Sequence, residues 1–154
     1  MSGTVKTELP KGALLHHYVR PGDFLDCYAC ATPLPVDEVA ARAMAFPFWA
    51  RALLRLRNIL VAPLGLSGAV PSGAKIGPFP IDARNDREII LGFDDSHLNF
   101  RISVLADGTH AYFATWVHTN NRLGRLYLTA IMPFHVLIVR SAVRQVWHPD
   151  RARA

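Results

Sequence analysis

One long uncharged segment near the C-terminus constrains the fold more than any other feature of the chain. The fourteen residues from 126 to 139, LYLTAIMPFHVLIV, contain no Asp, Glu, Lys or Arg and lie between Arg125 and Arg140. A bilayer core needs about 20 apolar residues, and Pro133 and His135 interrupt this run, so we do not expect a membrane span. The run predicts a helix, kinked at Pro133, that is buried on most of its sides in a soluble core.

Short β-rich runs precede this helix. FPIDAR, REIILGF, HLNFRISVLA and HAYFATWVHT are separated by ND, DD and DG, which predicts an antiparallel meander. An earlier strand, DFLDCYACATPLP, is followed by two predicted helices, EVAARAMA with Asp37 as its N-cap and PFWARALLRLRNILV. The predicted fold class is therefore α+β, with a curved antiparallel sheet wrapped around the long C-terminal helix and two shorter helices after the first strand.

The length of 154 residues fits one domain with one core. We expect a loosely ordered arm at residues 1–22, a single domain at 23–148 and a tail at 149–154. Residues 62–78 are rich in Gly and Pro and predict a connection, and whether it closes as a lid stays open. The N-terminus has no signal-peptide pattern, so a cytoplasmic location is expected.

The charge distribution and the cysteine spacing argue against nucleic-acid binding and against a disulfide. The net charge of +5 comes from arginines scattered along the chain without an accompanying binding motif, so nucleic-acid binding is not expected. Cys27 and Cys30 form a C-x-x-C motif inside a predicted strand, where residues three apart point to opposite faces. Their α-carbons would lie about 10 Å apart, too far for a disulfide, so two buried thiols are expected.

The stretch DDSHLNFRISV combines strand alternation with several functional side chains. His97, Asn99 and Arg101 alternate with apolar residues, which favours a solvated strand face on which Arg101 pairs with an acidic neighbour. The alternative is that some of these groups line an internal pocket. Asp94, Asp95 and His97 are adjacent rather than convergent, so no metal site is expected.

The final helix and the loop before it raise two further alternatives. His135 is either a satisfied core histidine or a pocket group whose proton chemistry is tuned by burial. Asn120 or Asn121 is expected to cap the helix, although an anion could also bind at its N-terminus with help from Arg122 and Arg125.

Two strings, GFDDSHLNFR and NRLGRLYLTAIMPFHVLIVR, carry a family resemblance. From residue 24 to 147 the chain resembles an uncharacterised bacterial family of unknown function, whose members occur alone or fused to short-chain dehydrogenase/reductase domains. That family is similar to the START, polyketide-cyclase and pollen-allergen-like helix-grip proteins. The resemblance implies a helix-grip fold, a curved sheet that holds the C-terminal helix around an apolar cavity.

Two functions follow as hypotheses from the resemblance. The first is binding of a small apolar or aromatic molecule in the cavity, with a partner oxidoreductase as a possible recipient. The second is a cyclase/aromatase-like or hydratase-like enzyme in which a pocket histidine acts as general acid or base. A domain that recruits another protein would instead show an exposed apolar patch and no cavity. No cofactor is expected, and a homodimer is possible.

The candidate residues fall into two sets. The catalytic candidates of the enzyme hypothesis are His135, His97, Asp95 and Arg101. The candidate ligand-binding residues are Trp49, Leu53, Phe100, Arg101, Phe113, Trp116, Arg125, Tyr127, Ile131 and His135.

Overall fold

The computed structural model of the protein describes residues 3–61 and 73–147. It contains three α-helices, α1 (Val36–Ala43), α2 (Phe48–Val61) and α3 (Arg122–Val146), and a short 3₁₀ helix at Leu14–His17. Its strands are β1 (Val5–Lys6), β2 (Phe24–Ala31), β3 (Lys75–Ile76), β4 (Phe79–Arg84), β5 (Glu88–Asp94), β6 (Leu98–Ala106) and β7 (His110–Thr119). The predicted α+β class and the predicted positions of the helices are confirmed.

All seven strands form one curved antiparallel sheet in the order β1-β2-β7-β6-β5-β4-β3. The predicted meander is the run from β4 to β7, whose neighbours in sequence are also neighbours in the sheet. β2 pairs with β7, so the first long strand and the last one lie side by side. Strand alternation therefore gives the sheet two faces with different cover.

We name the two faces by what covers them. On the helix face, α1 and the C-terminal end of α3 pack on the sheet and bury Val39, Val104 and Val143. On the arm face, the N-terminal segment of residues 9–19 packs on the sheet and buries Leu15 with Trp116. The molecule therefore has two apolar clusters, one on each side of the sheet.

The boundary predicted at residue 22 is crossed by many contacts. β1 extends the sheet beside β2, and Leu15 has no exposed surface. Since the N-terminal arm supplies the cover of one sheet face, it belongs to the same packed unit as the strands. The C-terminal tail and most of the connection at 62–78 lie outside the described residues.

The ends of the helices follow the predictions in part. Asn121 accepts a hydrogen bond from the backbone N–H of Gly124 at 2.9 Å, which confirms an asparagine N-cap for α3. The N-cap predicted for α1 is wrong, because that helix begins two residues earlier, at Val36, and has Pro35 at the N-cap. Asp37 lies in the first turn and accepts a hydrogen bond from Arg84 at 2.9 Å instead.

The prediction that α3 is buried on most of its sides is wrong. The helix is continuous through Pro133, but its buried residues are confined to Gly124 and to Ala142, Val143 and Val146 near the C-terminus. The sheet covers one side of α3, and α1 covers only its last turns. The side of the helix that faces away from the sheet is therefore exposed over most of its length.

Candidate functional site

On the helix face, the N-terminal part of α3 leaves a row of apolar side chains only partly covered, and we call this region the groove. Phe24, Val117, Phe100 and Phe93 are register partners across β2, β7, β6 and β5, so they form one row across the sheet. The rings of Phe93 and Phe100 meet edge to face with their centroids 5.1 Å apart. All three phenylalanines are half-buried, so this row is a floor that α3 does not fully cover.

The next row of the sheet is polar at one end. Asp26 is the register partner of Thr115, and Thr115 is the partner of Ile102 on the following strand. Thr115 and Ile102 are half-buried, whereas Asp26 is buried. Asp26 therefore places a carboxylate in the floor of an otherwise apolar groove.

His135 of α3 reaches this carboxylate from the opposite wall. Its Nε2 lies 3.0 Å from the Oδ2 of Asp26, and the edge of its ring meets Phe24 at a centroid distance of 6.0 Å. Asp26 Oδ1 is buried and has no hydrogen-bond partner among the described residues. The pair can orient the imidazole and offer one free carboxylate oxygen to a third group.

Sequence reasoning found one half of this pair and missed the other. His135 is a candidate from the sequence because a helix that covers a cavity would present it as a pocket group. The position of Asp26 is also a signal in the sequence. Residues 24, 26 and 28 lie on one side of the strand, and the neighbours of Asp26 on that side, Phe24 and Tyr28, are aromatic. A lone carboxylate in such a series indicates a buried acid with a dedicated partner.

A second polar cluster lies where α3 begins. His97 is buried, and neither ring nitrogen has a hydrogen-bond partner among the described residues. Its Nδ1 lies 3.8 Å from a carboxylate oxygen of Asp95, and its ring meets Tyr127 edge to face. Burial and the charge of Arg57 lower the pKa of His97 although Asp95 raises it, and the lowered pKa favours the neutral ring.

Close backbone packing fixes this cluster. Arg57 of α2 donates a hydrogen bond from Nε to the hydroxyl of Tyr127 at 2.6 Å. A Cβ at Gly124 would collide with the carbonyl oxygen of His97, so the first turn of α3 lies against the β5–β6 turn in a way that requires glycine. The cluster therefore anchors α3 at its N-terminus.

A cleft of about 560 Å³ lies beside the groove, between the end of α1, α2 and the turn at Gly77. Met44, Phe46 and Leu54 give it apolar walls, and Arg51 lies at its side. Edge-to-face contacts connect Phe46 to Phe79 and Phe79 to Phe100. An aromatic path thus joins the cleft to the floor of the groove.

The polar residues of β6 lie on the arm face and not in the groove. Arg101 donates to Asp82 from Nε at 3.0 Å and lies 2.9 Å from Asp94 through Nη1, and it stacks over the ring of Tyr18. Arg101 and Ser103 are buried, so the solvated strand face that we expected is wrong, although the acidic partner of Arg101 is confirmed. His97 precedes β6 and is buried beside α3 instead. The N-terminal arm covers the face that alternation left for solvent.

The structure separates the candidate ligand-binding residues into groups. Phe100 lies in the row described above, His135 contacts Phe24 of that row, and Ile131 lies one helical turn before His135. Trp49 and Leu53 are half-buried on α2. Phe113 lies in the closed core of the helix face. Tyr127 belongs to the His97 cluster, Arg125 is exposed, and Arg101 and Trp116 lie on the arm face. The candidates are therefore distributed over several parts of the fold.

The remaining sequence motifs do not form a site. Cys27 and Cys30 lie in the clusters of opposite faces, as predicted, and burial raises the pKa of their thiols to about 12 and about 11. No group of three or more His, Cys, Asp and Glu side chains in residues 3–61 and 73–147 could hold a metal ion.

The comparisons with known proteins place this geometry in a family. A family model described as "Protein of unknown function (DUF2867)" matches residues 19–142, which span β2 to the last turns of α3. The chain belongs to the DUF2867 family. Neither the curated proteins nor the solved structures contain a match. The match of the DUF2867 model includes Asp26, His97 and His135, and the family description leaves their roles open.

Proposed function

We propose that the protein binds a small, largely apolar or aromatic molecule in the groove, with Asp26 and His135 as its polar anchor. The Asp26–His135 pair carries this proposal. A buried carboxylate oxygen without a partner costs free energy, and a bound molecule with one donor would supply the missing hydrogen bond. Half-exposed phenyl rings around the pair offer the apolar walls that such sites use.

The wider assignment is part of the same proposal. The curved antiparallel sheet and the long C-terminal helix support membership in the START and polyketide-cyclase-like helix-grip group. The resemblance to bacterial proteins fused to short-chain dehydrogenase/reductase domains supports a cytoplasmic oxidoreductase as the partner that receives the ligand. Fold likeness alone does not choose a ligand, so the groove itself must be tested.

Native mass spectrometry of freshly purified protein tests the proposal. The expected result is a reproducible small apolar mass that solvent extraction removes. Ile131→Trp fills the groove side of α3 and should abolish the adduct. Leu126→Trp adds the same ring to the exposed side of the same helix, so it is the matched control and should retain the adduct.

Carboxylate variants test the polar anchor. Asp26→Ala removes the oxygen that would accept the ligand's hydrogen bond and should reduce occupancy about tenfold, because a hydrogen bond contributes up to roughly 1.5 kcal/mol. Asp23→Ala is the control, since Asp23 forms an analogous pair with His118 on the arm face. Clean protein without an adduct, or equal losses in all variants, would contradict the proposal.

The same pair favours an enzyme as the second candidate function. A carboxylate that orients an imidazole is the arrangement of a general base, as a cyclase or hydratase would use. In that case Asp26→Asn and His135→Ala would keep the molecule bound but stop its conversion. Mass spectra of the extracted compound after incubation with each variant separate turnover from simple binding.

A further inference from the structure

The outer side of α3 is an apolar surface with no cover in the described chain. Leu123, Leu126, Phe134 and Leu137 recur at spacings of three and eight residues, so they form one stripe along the helix, which we call the outer stripe. Leu126 is 68% exposed and Leu137 is 57% exposed. His135 lies on the opposite side of the helix, toward the groove, so the outer stripe is distinct from the proposed binding site.

Exposed apolar side chains are concentrated on two helices. Of the nine large hydrophobic residues that are exposed in the described parts of the chain, four form the outer stripe and three lie on α2. The three on α2 are Phe48, Leu56 and Ile59. Such a concentration marks an interaction surface, because scattered apolar residues would be spread over all the elements.

The charge on these helices has one sign. Residues 39–81 and 108–149 contain no Asp or Glu, so α2 and α3 carry arginines and no carboxylates. Their six exposed arginines are Arg51, Arg55, Arg122, Arg125, Arg140 and Arg144. None of the six forms an ion pair within the described residues. The apolar surface is therefore bordered by positive charge that the described protein leaves unneutralised.

This charge decides between two occupants of the outer stripe. A second copy of the chain would bring one acid-free, arginine-rich helix against another, and like charges would oppose the contact. Anionic lipid headgroups would neutralise the arginines while the acyl region receives the apolar side chains. Charge complementarity thus favours a bilayer surface.

The length of the uncharged run favours an orientation of the helix along a bilayer surface over one across the bilayer. Over its most apolar 18 residues α3 has a mean hydropathy of 1.6, and by length and composition it could cross a membrane. However, Arg125 and Arg140 confine the uncharged run to fourteen residues, and about 20 are needed to span the hydrocarbon core. The inner side of the helix is also held to the sheet through His135 and Val143.

We propose that the outer stripe of α3 docks in the plane of an anionic bilayer surface, with its arginines at the headgroups. The apolar side chains insert at the boundary between headgroups and acyl chains, where interfacial helices bury one face. The sheet and the N-terminal arm remain in water. The groove side of α3 then stays free for its own ligand, so the two proposals stand or fall separately.

Vesicle co-flotation with the full chain tests this proposal. Vesicles with about 30% phosphatidylglycerol in phosphatidylcholine should bind the protein at least tenfold more than vesicles of phosphatidylcholine alone. Raising the salt from about 0.1 M to about 0.5 M should weaken the binding severalfold, because headgroup attraction is screened. Arg122→Gln combined with Arg144→Gln should weaken it by more than tenfold, since each arginine near the surface contributes roughly fivefold.

A matched pair of variants isolates the outer stripe. Leu126→Glu and Val5→Glu add the same charge at residues that are 68% and 62% exposed, but Val5 lies on the edge strand β1. Leu126→Glu should abolish flotation, and Val5→Glu should change it less than twofold. Equal effects of the two variants, or no binding to anionic vesicles, would overturn the proposal. A dimer in solution that Leu126→Glu dissociates would overturn it in favour of a second copy.

Discussion

The two faces of the sheet solve the same packing problem in different ways. On the arm face, Glu88 is buried and accepts hydrogen bonds from the backbone N–H groups of Leu14 and Leu15 and from the hydroxyl of Ser103. On the helix face, one polar pair lies in the groove, and the Oδ1 of Asp26 has no hydrogen-bond partner in the part of the chain that the structure describes. On the arm face, the buried carboxylate of Glu88 has hydrogen-bond partners, which contributes to stability. On the helix face, the buried carboxylate of Asp26 still lacks one hydrogen-bond donor among the described residues.

The largest expected effect comes from breaking the closed face at Glu88. Glu88→Ala removes the acceptor for two backbone donors and one hydroxyl, all of them buried or partly buried, and should lower the free energy of unfolding by about 3 kcal/mol or more. Urea denaturation followed by circular dichroism measures the change. Glu88→Gln keeps one carbonyl oxygen and should lose less.

A substitution on the open face provides the comparison. Ile131→Ala removes a half-buried side chain above the groove and should cost about 1 kcal/mol, because little area leaves contact. If Ile131→Ala destabilised the protein as much as Glu88→Ala, the groove would be a packed core and the contrast between the faces would fail.

An effect smaller than that of Glu88→Ala is expected from the ion pairs of the arm face. The Arg101 side chain is 8% exposed, but its partners Asp82 and Asp94 are 36% and 63% exposed and can turn to water. Arg101→Leu should therefore cost about 1 to 2 kcal/mol in urea denaturation. Arg84→Leu breaks the exposed pair with Asp37 and should cost less than about 0.5 kcal/mol. Equal losses of stability in the two variants would show that the N-terminal arm does not shield the Arg101 ion pairs from water.

Much of the fold could be predicted from the sequence, because strand alternation and turn residues are local signals. The burial of Arg101 could not, since a polar series on a strand looks the same whether water or the arm covers it. The exposure of α3 was missed for the converse reason, because an apolar helix is assumed to have cover. Asp26 became a candidate only when β2 was placed opposite His135.

The smallest expected effect is a loss of stability in acid that belongs to the arm face. Burial alone would raise the pKa of Asp82, but hydrogen bonds from Tyr18 and Arg101 and the charge of Arg101 outweigh it, so the pKa is lowered. Burial alone would also raise the pKa of Asp23, but hydrogen bonds from His118 and Trp116 outweigh it, so this pKa is lowered as well. Both carboxylates therefore contribute stability that is complete above their unfolded pKa of about 3.9 and is lost as the pH falls through the lowered folded values.

Urea midpoints measured between about pH 6 and pH 3 test this dependence. Wild-type protein should lose stability below about pH 4, and Asp82→Asn should be less stable at pH 6 but fall less steeply, because one of the three described carboxylates with a lowered pKa, Asp23, Asp82 and Asp107, is gone. The Asp26–His135 pair can be removed as His135→Ala without changing the partners of Asp82 or Asp23, so that variant should keep the wild-type contribution of these two acids. If Asp82→Asn left the dependence of stability on pH unchanged, Asp82 of the arm face would not be a source of the acid-sensitive stability. The two faces would then not differ in their electrostatic contribution to stability.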